Sequence, residues 1–89
     1  MNEFKLEIPQ DVARGHYTNL AVIAHTPDEF IVDFALAYPQ HPPVVATRVI
    51  TSPRHAKALL RSLEDNIRRY ESRFGTIPEP PRGDPDNSN

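Results

Sequence analysis

The sequence predicts an α+β domain in which four antiparallel strands come first and one long helix comes last. Three observations carry this expectation. Apolar stretches of strand length, alternating or nearly continuous, occupy the first fifty positions. No helical pattern separates them, so they belong to one antiparallel layer rather than to alternating units around a parallel sheet. From Ser52 to Gly75 the apolar period changes to that of a helix and holds to the end of the stretch.

The elements follow in order. Residues 3–8, EFKLEI, alternate strictly, with Phe4, Leu6 and Ile8 on one side and Glu3, Lys5 and Glu7 on the other, the signature of a half-solvated strand. Pro9 ends it, and Asp11 and Gly15 mark the next residues as a connection. Tyr17 to Ala24, YTNLAVIA, is apolar on both sides, as in a strand covered on both faces within a monomer or an oligomer. His25 to Phe30 is a turn in which Pro27 presets φ and Asp28 bonds nearby backbone. Phe30 to Ala37 is the third strand, placing Phe30, Val32, Phe34 and Leu36 on one face, and it forms a hairpin with the second. Pro39, Pro42 and Pro43 stiffen the following loop, because none can donate to a ladder. Val44 to Thr51 is rich in β-branched residues and makes the fourth strand.

The helix is bounded by its own signals. Ser52 caps the free N–H groups of the first turn, Pro53 suits the first helical position, and Gly75 ends the helix ahead of Pro78. Between them Ala56, Leu60, Leu63, Ile67, Tyr70 and Phe74 recur at steps of four and three, and Leu59 widens the stripe. The first expectation is that this seam packs on the sheet; the second is that it is shared between subunits. The interface residues are then Leu59, Leu60, Leu63, Ile67, Tyr70 and Phe74. At a rise of about 1.5 Å per residue the helix is roughly 33 Å long, so its later half overhangs a small sheet. Glu64 with Arg68 and Asp65 with Arg69 stand at helical i, i+4 spacing in the favourable order.

Composition narrows the class. One domain over residues 1–77 is expected, with a proline-rich, disordered tail over 78–89. The chain has no cysteine, which excludes disulfides and thiolate chemistry. No apolar run reaches membrane-span length and no secretory pattern follows Met1, so a cytoplasmic protein is expected. The net charge is −2, but residues 53–74 carry a local excess of base in Arg54, Lys57, Arg61, Arg68, Arg69 and Arg73.

Chemistry is harder to find. His16, His25, His41 and His55 show no metal-binding spacing, the three glycines stand apart from any phosphate-loop pattern, and no cofactor or metal is expected. Asp33 interrupts an apolar strand; pairing with Arg48 on the next strand explains it better than acid catalysis does. An enzyme is the third-ranked class, with Asp33 and His25 as its only candidates. Aromatic residues lie among apolar and acidic strand positions, which fits packing better than base stacking.

Several features together resemble the bacterial domain-of-unknown-function family 3467 over about residues 5–77. They are Tyr17 and Asn19, His25-Thr26-Pro27 with Glu29-Phe30, Asp33-Phe34, Arg48, Ser52-Pro53 with Ala56-Lys57, Tyr70-Glu71 and Phe74-Gly75. The resemblance implies the boundaries and the fold but brings no catalytic residue. In element order alone the chain is similar to SecB-like export chaperones, a fold-level analogy. Whirly-like single-strand DNA-binding domains share that order, but their basic, aromatic sheet is missing here.

The functional expectation is a non-enzymatic protein-binding or scaffolding module. It would act as a homo-oligomer, a dimer or higher, either as a SecB-like chaperone for protein or peptide clients or as an adaptor. The alternative is nucleic-acid binding through Arg61, Arg68, Arg69 and Arg73 of the basic helix, a partner the overall charge does not favour.

Overall fold

A computed structural model describes residues 5–79. The element order is a short helix α1 (Gln10–Ala13), three strands β1 (Leu20–His25), β2 (Phe30–Leu36) and β3 (Val44–Thr51), and a long helix α2 (Pro53–Phe74). The strands form one antiparallel sheet in the order β1-β2-β3. This corrects the expected count of four. Residues 5–8 carry no strand, and residues 3 and 4 lie outside the described residues. Alternation specifies two faces for a segment but no edge to pair with, and a strand exists only when its backbone is paired. The segment after Pro9 is also more ordered than a plain connection, since the Pro9 carbonyl accepts from the N–H groups of Val12 and Ala13 and closes the turn of α1.

β1 and β2 form the expected hairpin, in register from Leu20 opposite Ala35 to His25 opposite Phe30. The turn is held by Thr26 rather than by Asp28. Its N–H donates to the Glu29 carbonyl at 2.9 Å, and its Oγ1 accepts from the N–H groups of Asp28 and Glu29. β1 begins at Leu20, three residues later than Tyr17; ahead of it the Asn19 N–H donates to the Ala35 carbonyl at 3.0 Å, and the Asn19 side chain takes up the pairing with Ala37. Asn19 Oδ1 accepts from the Ala37 N–H at 2.8 Å while Nδ2 donates to the Ala37 carbonyl at 3.0 Å. That carboxamide imitates a peptide group and closes the end of the hairpin.

β2 and β3 pair in register from Phe30 opposite Thr51 to Phe34 opposite Thr47, then shift so that Ala35 faces Val45. Ala46 is therefore the extra residue of a β-bulge. Directly paired residues share a face. One face carries Ile23, Phe30, Val32, Phe34 and Val49; the other carries Leu20, Val22, Ile31, Ala35, Val45 and Ile50, with Asp33 and Arg48 among them. Both faces are apolar.

β3 and α2 have the expected bounds. Ser52 Oγ accepts from the His55 N–H at 3.1 Å, Pro53 opens the helix, and the Gly75 N–H donates to the Glu71 carbonyl at φ 100°. One residue, Ser52, joins strand to helix. The expectation that α2 lies on its own sheet is not met: the packed contacts are β1 with β2 and β2 with β3, and α2 has nothing comparable with any strand. Ala35, at 3% exposure, is the one buried hydrophobic residue among the described residues. The accessible surface is 8709 Å², whereas a compact chain of this mass exposes about 5,300 Å². The C-terminal tail from residue 80 lies outside the described residues.

Candidate interaction surface

α2 is amphipathic because its apolar residues return every three or four positions while a helix turns about 100° per residue. Leu59, Leu60, Leu63, Ile67, Tyr70 and Phe74 therefore lie on one side. All six are open to solvent, with Leu60 at 55% and Phe74 at 67% exposure. The Tyr70 and Phe74 rings sit 5.0 Å apart, and the Arg73 guanidinium lies 5.6 Å from the Phe74 centroid. The seam is thus ordered along its length but covered by nothing in the described chain.

The opposite side of α2 is basic. Arg54, Lys57, Arg61 and Arg68 fall at spacings of three, four and seven, which brings them onto one line facing away from the seam. Arg69 lies off that line and pairs with Asp65 at 2.8 Å, one helical turn away. The companion pair expected between Glu64 and Arg68 is not closed, which leaves Arg68 free of an ion-pair partner among the described residues. Beyond the helix, the Ile77 N–H donates to a Glu71 carboxylate oxygen at 2.9 Å, folding the chain back on the helix end.

On the sheet, Asp33 and Arg48 meet across β2 and β3. Arg48 Nε donates to Asp33 Oδ1 at 2.7 Å and Nη2 to Oδ2 at 2.8 Å, a two-point fork. The hydrogen bonds from Arg48 hold the Asp33 carboxyl below its ordinary range against an opposing push from desolvation, and the pair raises the Arg48 guanidinium in turn. Asp33 is thereby satisfied as an acceptor, and a carboxylate held ionised by a fork is poorly placed to deliver a proton.

The remaining polar side chains close local structure. His55 Nδ1 and Thr51 Oγ1 lie 2.8 Å apart across the strand-to-helix junction. His25 stacks on Phe30 with ring centroids 5.5 Å apart, and Tyr38 contacts His41 at 4.7 Å. Asp33 and His25 stand at different places on the sheet, eight residues apart along the hairpin and on opposite faces by register. Among the described residues no group of three or more His, Asp or Glu side chains is arranged to hold a metal ion. No helix among them is long and apolar enough to cross a membrane.

The surface that stands out is accordingly apolar: two sheet faces and a helix seam, with a basic line behind the seam. Sequence reasoning found the seam from its period and missed that both sheet faces are open, since apolar strands look the same whether covered by their own helix or by another chain. No curated protein and no solved structure matches the chain. The likeness to SecB-like chaperones therefore rests on element order alone, and the three-stranded sheet departs from it. The family model described as a protein of unknown function, DUF3467, matches residues 1–79, which includes every element from α1 to α2, and the chain belongs to that family.

Proposed function

We propose that this chain is a non-enzymatic protein-binding or scaffolding module that works as a homo-oligomer, a dimer in the simplest case. The observation that carries the reading is the uncovered apolar surface of the sheet and of α2. An excess of about 3,400 Å² over a compact chain of equal mass is more than each partner in an obligate pair commonly buries, about 1,000–2,500 Å². The seam leucines and the strand valines and isoleucines, which lie in regular elements, contribute directly to that excess. Water contact with so many ordered apolar side chains is unfavourable by about 25 cal/mol per Å². A partner removes that cost. Whatever seam remains open after assembly suits an apolar segment of a client, the way an export chaperone holds its cargo or an adaptor joins two chains.

The native mass of the purified protein, by size exclusion with light scattering, tests the reading. A dimer or larger assembly supports it; a monomer across the accessible concentration range overturns it. A second reading, nucleic-acid binding, draws on the line of Arg54, Lys57, Arg61 and Arg68, which stays outward when the seam is covered. The absorbance ratio at 260 and 280 nm across the same peak decides it, because bound oligonucleotide raises the ratio and its loss in high salt follows counterion release.

A further inference from the structure

We propose that two copies of this chain join through the free edge of β1, antiparallel about a two-fold axis, to make one continuous six-stranded sheet. The inference rests on the oligomeric reading above and names the contact. Among the described residues β1 is paired on one side only, by β2, and β3 is the opposite edge. The two edges are built differently. β3 is preceded by Pro42 and Pro43, is interrupted by the bulge at Ala46, and carries Arg48, whose side chain turns inward to Asp33. These are the devices that keep a strand edge from pairing. β1 has none of them: LAVIAH contains no proline and no carboxylate, lysine or arginine, and its register with β2 has no shift.

An open concavity of about 420 Å³ runs along four consecutive residues, Val22, Ile23, Ala24 and His25. Consecutive strand residues point to opposite faces, so a concavity touching all four lies at the edge, against the backbone. The occupant that fits is a second copy. Each residue at a two-fold axis meets its own counterpart, which excludes like charge, and β1 is uncharged through Ala24. Size agrees as well. Three strands span about 14 Å and six about 29 Å, and only the wider sheet approaches the roughly 33 Å length of α2.

Opposed residues must share a face, and the two-fold preserves faces, so one residue must face its own copy on the axis. Pairing the greatest length of Leu20–His25 puts that residue at Val22 or Ile23. Because the chain has no cysteine, Val22→Cys, Ile23→Cys and, as the other-edge control, Val45→Cys each introduce one thiol. Their native masses are measured under reducing conditions, and cross-linking is then followed by oxidation and denaturing electrophoresis. All three keep the dimeric mass, and either Val22→Cys or Ile23→Cys forms the covalent dimer about tenfold faster than Val45→Cys, as held proximity requires. A dimeric mass with neither β1 cysteine cross-linking faster than the control overturns the edge contact and leaves the oligomeric reading standing, with the edge taken by a client or by residues 3–8. A monomeric mass overturns both.

Discussion

Asp33 and Arg48 sit directly opposite each other in the β2–β3 ladder and close a two-point ion pair of 2.7 and 2.8 Å on an otherwise apolar sheet face. Asp33 keeps 15% of its side chain exposed and Arg48 62%, so the carboxylate is the more sheltered partner. The folded-state carboxyl is lowered from its ordinary value of 3.8. Its contribution to stability is therefore present above that value and disappears as pH falls through the lower folded-state value. Asp33→Asn is expected to lower the denaturation midpoint at pH 7 and to flatten the loss of stability below about pH 4. Urea titrations of both proteins between pH 2.5 and 7 check this, and parallel acid limbs would contradict it.

The Asn19 carboxamide holds both polar backbone groups of Ala37. Asn19→Ala removes both bonds at once and leaves Ala37 to water, a loss of about 1–2 kcal/mol. Hydrogen exchange at the Ala37 amide should accelerate by about tenfold or more while the amides of β3 change little. Asn19→Asp keeps the acceptor and removes the donor, so it should retain protection of the Ala37 N–H.

The ends of α2 give a local test. Ser52→Ala deletes the acceptor for the His55 N–H and should cost about 1 kcal/mol. Gly75→Ala forces a Cβ into φ 100°, ψ 164°, a region essentially reserved for glycine, and should cost about 1–3 kcal/mol, although nothing lies within 4 Å of the added atom. Thermal melts followed by far-ultraviolet dichroism read both, and because ψ 164° lies outside the left-handed helical well that tolerates asparagine, the strain account predicts that Gly75→Asn is no milder than Gly75→Ala.

What was legible in the sequence follows from how local each signal is. Pro43 ahead of β3, Ser52-Pro53 and Gly75 act within a turn of themselves, so the bounds of β3 and α2 could be read from composition and period. The segment EFKLEI alternates as well as any strand, yet residues 5–8 are unpaired, because pairing is a property of two segments and alternation describes one. Asn19 and Thr26 were recognisable as residues of a turn and a strand opening, but their hydrogen bonds to Ala37, Asp28 and Glu29 depend on the hairpin register. The seam of α2 was readable as a face. Its neighbour was not, since the same period serves a helix on its own sheet, on a partner's sheet, or on another helix.

The basic line of α2 separates the two functional readings. Arg61→Glu with Arg68→Glu changes the charge of the outward face by −4 without touching the seam or the Arg69–Asp65 pair. If nucleic acid binds there, a low-salt mobility shift given by the unaltered protein is abolished. The protein-binding reading expects no shift from the unaltered protein and an unchanged native mass for the variant.

Leu60 and Phe34 probe the apolar surfaces separately. Leu60 lies on the seam of a helix that leaves its own sheet uncovered, so Leu60→Asp removes no core contact of the described chain. Its cost should appear in assembly: at about 1.5–3 kcal/mol for each lost side-chain burial, two copies weaken a dimer by a hundredfold or more. Phe34→Asp places a second carboxylate on the central strand, on the face opposite Asp33, and should impair both sheet and assembly. Light scattering gives the mass and dichroism gives the helix and sheet content. A Leu60→Asp protein with unaltered dimeric mass would remove the seam from the interface and leave the sheet alone to join the copies. Helix content that falls with dilution in step with the mass would show that α2 is ordered by its partner, as a helix whose tertiary packing is lost should be.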